Sequence, residues 1–407
     1  MKRLPLLAIA GAAALGLALA LSASSTPCPK PGTEANTSSP VRVSYTPLER
    51  VVPAPNLPSG VAPQRSNNNL ALALHEGRLF FAFRTAHWHF ASPTATLYVL
   101  SSADLGRTWD LEAKIAPGRD VREPNFLSVN GSLLLYFFRG GVNPVAFEPG
   151  PTLVARRLGP GRWSEPAPLF PEEGWVAWRI KAENGTPYML RYRGEHYNFS
   201  GGAKPLEVEF LTSRDGRNWT PVDPARPVVY SGGGSEADFG FDRSGDLLAT
   251  IRIEDSDPGG MGARTCRAPA GDLANWACAP DPRRYDSPLA LSHNGSVYLV
   301  ARRHPLGPFD LGAQALPGSL QAALYNGFYW LTPKRTSLYR LVSDEPRAEW
   351  LLDFPSNGDT AFPALVKLND STYLLYNYSS DPEGCEVPWL AGQLGPTAIY
   401  ATRLTLP

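Results

Sequence analysis

From Asn69 onward the chain is a succession of short runs in which apolar and polar residues alternate, each broken by tight-turn residues. A period of two predicts strands with one buried face. The turns are His75-Glu76-Gly77, Val129-Asn130-Gly131, Glu183-Asn184-Gly185, Arg243-Ser244-Gly245, His293-Asn294-Gly295 and Leu368-Asn369-Asp370. Asn-Gly between apolar runs predicts a two-residue hairpin, because both central residues then take positive φ. Six hairpins follow one another. Behind each of the first five comes a further strand pair that closes on a tryptophan: Trp109, Trp163, Trp219, Trp276 and Trp350. The intervals are nearly equal until a longer segment, near 305–331, intervenes.

Four strands per repeat at this period predict an all-β fold, a six-bladed β-propeller of four-stranded antiparallel blades. The sixth unit has strands through Thr372–Tyr376 and Ala398–Leu404 but no room for a fourth. The alternating run Val41–Tyr45 supplies one, so N- and C-terminal strands close the ring and no sheet edge stays open.

Composition agrees with this and narrows the partners. The 407 residues include 41 Pro and 37 Gly, a balance of turns rather than helices. Formal charge is zero, with 38 basic and 38 acidic residues, so no basic surface for nucleic acid is expected. Lys2-Arg3, an apolar run to Leu21 and small residues Ser22–Ser25 predict an export signal over 1–24, with an uncleaved anchor as the alternative. No other segment is apolar and long enough to span a bilayer. The predicted layout is that signal, a flexible leader over 25–40, and a single propeller domain over 41–407. Cys266 and Cys278 flank a turn and are expected to bridge a hairpin in an oxidising compartment; whether Cys28 and Cys385 pair is left open. Cysteine spacing and the six histidines give no metal site, and no cofactor is expected.

One turn carries a recognisable motif. Ser102-Ala103-Asp104-Leu105-Gly106-Arg107-Thr108-Trp109 reads S-x-D-x-G-x-T-W, and Ser213–Trp219 is a version one residue shorter. These resemble the Asp-boxes (BNR repeats) of the sialidase, or neuraminidase, superfamily, whose propellers have six blades. The resemblance covers roughly residues 40–407. It implies exo-sialidase-like chemistry at the axis and places the motif on the outside of the blade. It also exposes departures. The family's Arg before the first inner strand corresponds to Arg65, here followed by Ser66-Asn67. Its acid/base Asp would lie in the loop Thr85–Phe90, which has no carboxylate. Its nucleophilic Tyr corresponds to Phe362 in Ala361-Phe362-Pro363-Ala364-Leu365.

Propeller ligands usually bind in the axial funnel, walled by the loops entering each inner strand and leaving each second strand. The repeat alignment puts Arg65, Arg122, Glu123, Arg179, Glu236, Asp238 and Asp359 at entries, and Arg84, Arg139, Arg252, Arg302 and Tyr376 at exits. Arg84, Arg252 and Arg302 stand at the same offset from the turn glycines Gly77, Gly245 and Gly295, so they are expected to converge. Converging arginines with carboxylates suit an anionic or polyhydroxylated ligand such as a glycan. Glu123 and Glu236 are the expected acid/base pair of a glycoside hydrolase. His87 and His89, around Trp88, are candidates for sugar contact, and Trp178 and Tyr325 for stacking. The alternative is a non-catalytic carbohydrate- or protein-binding propeller, favoured by Phe362.

Overall fold

The computed structural model describes residues 28–194, 205–255, 257–310, 316 and 318–407. The expected export signal lies outside them. Two short strands, β1 (Ser44–Tyr45) and β2 (Glu49–Val52), precede six antiparallel sheets. Blade I is β3 (Ser66–His75), β4 (Arg78–Ala86), β5 (Thr96–Ser102) and β6 (Asp110–Ile115). Blade II is β7 (Val121–Val129), β8 (Ser132–Arg139), β9 (Thr152–Gly159) and the outer pieces β10 (Arg162–Trp163) and β11 (Ala167–Pro168). Blade III is β12 (Val176–Glu183), β13 (Thr186–Arg193), β14 (Leu206–Ser213), β15 (Trp219–Pro221) and β16 (Val228–Gly232). Blade IV is β17 (Gly234–Phe241), β18 (Leu247–Ile253), β19 (Ala263–Ala268) and β20 (Ala277–Asp281). Blade V is β21 (Asp286–His293), β22 (Ser296–Arg303), β23 (Arg335–Leu341) and β24 (Ala348–Phe354), with helix α1 (Gly318–Trp330) inserted before β23. Blade VI is β25 (Ala364–Lys367), β26 (Thr372–Ser379) and β27 (Ala398–Thr405), with the short helix α2 (Trp389–Leu394) before β27.

The hairpin chemistry explains the blade count. Glu76-Gly77, Asn130-Gly131, Asn184-Gly185 and Asn294-Gly295 all have positive φ at both positions, which twists the turn with the strands. In blade IV, Asp242 Oδ1 instead accepts from the backbone N–H of Ser244 and Asp246. In blade VI, Asn369 Oδ1 accepts from Ser371 and Thr372 in the same way.

The ring closes through both termini. Tyr45 of β1 lies opposite Leu404 of β27, and Arg50 of β2 opposite Tyr400. The closing edge is therefore split and extends past the expected Val41–Tyr45. The described part of the expected flexible leader is fastened to blade V. Asn36 N donates to Leu351 O at 2.8 Å, Asp353 N to Glu34 O at 2.8 Å, and Arg335 Nε to Gly32 O at 2.8 Å. Cys28 is bonded to Cys385, and Cys266 to Cys278 across β19 and β20. Both bonds fit an oxidising compartment. Among the described residues no helix is long and apolar enough to cross a membrane.

The motif turn is a self-contained network on the outer hairpin of blade I. Ser102 Oγ accepts from Gly106 N at 2.7 Å, and Asp104 accepts from Thr108 N and Oγ1 at 2.8 and 2.7 Å. Those donors hold the Asp104 carboxyl down to about 2. Gly106 has φ +95°, and a Cβ there would lie 2.7 Å from the hydroxyl of Tyr376 on blade VI. The shorter motif repeats the arrangement: a Cβ on Gly216 would lie 2.7 Å from the hydroxyl of Tyr136 on blade II. In both, a tyrosine from the second strand of the preceding blade supports the turn glycine. Gly106→Ala is expected to cost about 2 kcal/mol, from positive φ and overpacking together. A thermal melt reads this, and an unchanged midpoint would remove the turn's role in blade docking.

Candidate functional site

The funnel ends of the inner strands are irregular. Register slips between Asn68 and Leu70, Arg122 and Asn125, Ala177 and Arg179, Gly234 and Ala237, and Asp286 and Leu289. Four non-glycine residues at these inner-strand entries take left-handed backbone: Asn69 (φ 48°), Glu123 (55°), Ser287 (50°) and Ala361 (67°). Such bulges re-aim side chains and concentrate beside binding sites.

The expected arginines do converge on the blade junctions, but not as free ligand clamps. Arg84 is fully buried, and its Nε and Nη2 bond Asp120 Oδ1 at 3.0 and 2.7 Å. Asp120 stands at the entry to the next blade. Burial opposes its charge, yet Arg122 and Arg84 outweigh burial and hold its carboxyl below the usual range. Arg252 pairs with Glu236, with Glu254 at 2.8 Å and with Asp286, at the entry of the next blade, at 3.0 Å. Arg302 donates to the carbonyls of Thr360 and Ala361, also in the next blade, at 2.6 and 3.1 Å. Arg179 pairs with Asp238 at 2.8 Å and donates to Pro288 O at 2.6 Å. Arg122 pairs with Asp120 at 2.5 Å and donates to His89 O at 3.3 Å. The shared offset of Arg84, Arg252 and Arg302 thus has a structural cause. Each staples its blade to the next, and the junction recurs with the blade.

The carboxylates form the polar centre. Glu123 has Oε2 buried without a hydrogen-bond partner. Burial, joined by the charges of Glu236 and Asp120 and opposed by Arg122 and Arg84, pushes its carboxyl up to about 8. Glu236 accepts from Ser287 N at 2.6 Å as well as from Arg252, and burial raises its carboxyl too. Tyr192, on the exit of β13, is raised well above its ordinary value by burial and by Glu254, Glu236 and Glu123. These groups from blades II, III and IV therefore feel one another's charge.

A second cluster links blades I and VI. His89 Nδ1 lies 2.6 Å from Asp359 Oδ2, and Asp359 Oδ1 accepts from the Tyr378 hydroxyl at 2.9 Å. Asp359 and Tyr378 are fully buried, while the His89 side chain keeps 15% exposure. Burial lowers the His89 pKa, Arg122 and Arg84 add to that, and Asp359 opposes it.

The other expected site residues are outside these two clusters. Tyr376 is buried in the apolar core, 5.1 Å from the Phe81 ring and under Gly106, which corrects its expected place at the axis. Arg65 is exposed, and Arg139 is half-buried at the end of β8; neither side chain pairs with a described residue. Phe362 stands 5.2 Å from Trp178. Blades III and VI face each other across a ring of six, so this aromatic pair lies across the channel. Tyr325 packs beside Phe309 in a separate apolar cluster around α1. Sequence reasoning missed Asp120, two residues ahead of Arg122, although the same entry alignment led past it. It also missed Tyr329 and Asn326 of α1, which touch the Asp286–Arg284 pair: Arg284 donates to Asn326 Oδ1 at 2.9 Å, and Asp286 helps raise the Tyr329 hydroxyl, already raised chiefly by burial. No repeat signal marks an insertion. Among the described residues there is no cluster of metal-ligating side chains.

No family model and no curated protein matches this sequence. Solved structures do. A protein of unknown function from Dyadobacter fermentans matches with TM-score 0.57 at 17% identity, over 90% of this chain and 99% of its own. Trypanosoma rangeli sialidase in complex with sialic acid matches with TM-score 0.54 at 12% identity, over 89% of this chain and 58% of its own. The phage phi92 endosialidase matches with TM-score 0.52 at 10% identity, over 89% of this chain and 69% of its own. The chain is thus a sialidase-like propeller in fold, and spans little more than half of the trypanosomal enzyme.

Proposed function

We propose that this protein is an exported glycoside hydrolase acting at its axial funnel on a neutral, polyhydroxylated glycan, with Glu123 as the general acid. The observation that carries the reading is Glu123 itself. It is a carboxyl pushed up to about 8, held at a left-handed bulge, with a buried oxygen that lacks a partner. A carboxyl still protonated at neutral pH is what protonation of a leaving group needs. Glu236, tied to Arg252, keeps that proton in place through its charge. Arg84, Arg122, Arg179, Arg252 and Arg302 are occupied by carboxylates and carbonyls, which argues against their clamping a carboxylated sugar. Phe362 in the place of the nucleophilic Tyr argues the same way against ordinary sialidase chemistry. The Cys28–Cys385 and Cys266–Cys278 bonds support action outside the cytoplasm, as does the export signal expected over residues 1–24.

The test is a panel of chromogenic glycosides. Wild type is expected to turn over a neutral glycoside and not a sialoside, and Glu123→Gln to lose at least about 100-fold in kcat/KM. Activity should fall as pH rises through about 8, because the acid then loses its proton. Full activity in Glu123→Gln would end the assignment. The Trp178–Phe362 pair across the channel favours a second reading, a binding propeller. Tight binding of a neutral oligosaccharide with no turnover of any glycoside would select it.

A further inference from the structure

We infer that His89 is the general base of the funnel, positioned by Asp359 and Tyr378, and that cleavage inverts the anomeric centre. The inference rests on the hydrolase reading and supplies the group that reading lacks. An acid alone protonates the leaving oxygen; a second group must activate water. The loop Thr85–Phe90 has no carboxylate. It does present an imidazole backed by a carboxylate from the far end of the sequence.

The ring is held on one side only. Its Nδ1 bonds Asp359 at 2.6 Å, with Asn68 Nδ2 a longer contact at 3.4 Å. The His89 main chain is pinned at both ends: its N–H donates to Gln393 O of α2 at 3.1 Å, and its carbonyl accepts from Arg122. Asp359 is fixed in turn by Tyr378 and by its own N–H donating to Ser380 Oγ at 3.2 Å. A carboxylate on Nδ1 sets the tautomer that carries its proton there and leaves the Nε2 lone pair as a base. Nε2 makes no hydrogen bond with a described residue, and the side chain reaches solvent. Arg122 joins the two halves of the site, bonded to the His89 carbonyl and adjacent in sequence to Glu123.

The step balances with water as co-reactant. Water gives a proton to Nε2 while its oxygen bonds the anomeric carbon. The glycosidic C–O bond breaks, its electron pair stays on the leaving oxygen, and the Glu123 proton goes to that oxygen. The charged and titratable groups facing the imidazole are Asp359, Arg122, Arg84 and Tyr378, with Asp120 behind the arginines. Asp359 favours the imidazolium; burial and the two arginines disfavour it and prevail. The base is therefore neutral at pH 7, and activity rises with pH through a value below the ordinary histidine range.

The experiment uses the full chain and the neutral glycoside that wild type turns over fastest. His89→Ala should lose at least about 100-fold in kcat/KM, lose the acidic limb of its pH profile, and regain activity with added imidazole. His89→Gln, which keeps a donor for Asp359 and so spares the fold, should be as inactive. Proton NMR of the first product should show the inverted anomer. Wild-type activity in His89→Gln, an unchanged acidic limb, absence of imidazole rescue, or a retained anomer overturns the inference. If Glu123→Gln is inactive under the same conditions, only the role of His89 falls. If wild type cleaves no glycoside, the hydrolase reading falls and takes this inference with it.

Discussion

Asp120→Ala destabilises the protein by about 3–5 kcal/mol, more than any surface substitution should. The reason is geometric. Arg84 has no exposure, and both of its bonds to a charged partner end on Asp120 Oδ1. Its remaining contacts are to Asn68 Oδ1 and the carbonyls of Trp88 and Phe90, which satisfy donors without neutralising charge. Guanidinium does not shed its proton in a protein, so the variant must carry an uncompensated buried cation. Chemical denaturation measures the loss. The double variant Arg84→Met with Asp120→Ala should recover much of it, because replacing both partners removes the unpaired charge. A loss below about 1 kcal/mol in Asp120→Ala would mean that the staple between blades I and II carries little.

Arg252→Met has an effect of similar size but with a pH dependence that Asp120→Ala lacks. Arg252 sits among three carboxylates, Glu236, Glu254 and Asp286. Asp286 keeps a second cation, Arg284, at 2.9 Å, and its carboxyl lies below its ordinary value because Arg284, Arg252 and Arg302 outweigh burial. Glu236 loses its cation and is already raised by burial. Without Arg252 the folded-state pKa of Glu236 rises further above its unfolded value. A raised carboxyl binds its proton more tightly in the folded state, so its contribution is intact in acid and lost as pH rises through that value. The variant should therefore be about 3–5 kcal/mol less stable than wild type at pH 8, and the gap should narrow at pH 5. Urea titrations at the two pH values test this, and a gap independent of pH would show that the carboxylates are not facing one another.

These two variants also show what the sequence could and could not reveal. Blade number and strand order were readable because each hairpin turn obeys local chemistry. Asn130-Gly131 and Asn294-Gly295 need only their own backbone to fold. Ring closure was readable as an unpaired strand, although its outer edge runs on to Glu49–Val52. The arginine offsets were visible too, but their meaning was not, since Arg84, Arg252 and Arg302 each bond the following blade. In a propeller a structural junction repeats with the same period as a site, so recurrence does not separate the two. Tyr376 shows the converse. Its counterpart Tyr136 stands at the same place in blade II and also lies under a motif glycine, which marks both as supports. His89 and Asp359 meet from opposite ends of the chain, and no local pattern joins them.

What the fold contributes to function is a frame that holds carboxyls where water is scarce. The bulge at Glu123 and the staples on either side of it leave its Oε2 without a hydrogen-bond partner beside paired charges. The most direct measurement compares leaving groups. Wild type and Glu123→Gln are assayed on two glycosides of the same neutral sugar, one with an activated aryl leaving group and one with an alkyl alcohol. A general acid matters in proportion to the leaving group's need for a proton. The variant should keep much of its rate on the activated substrate and lose at least about 100-fold on the alkyl one. Equal losses on both, or no loss on either, would contradict Glu123 as the proton donor of the funnel.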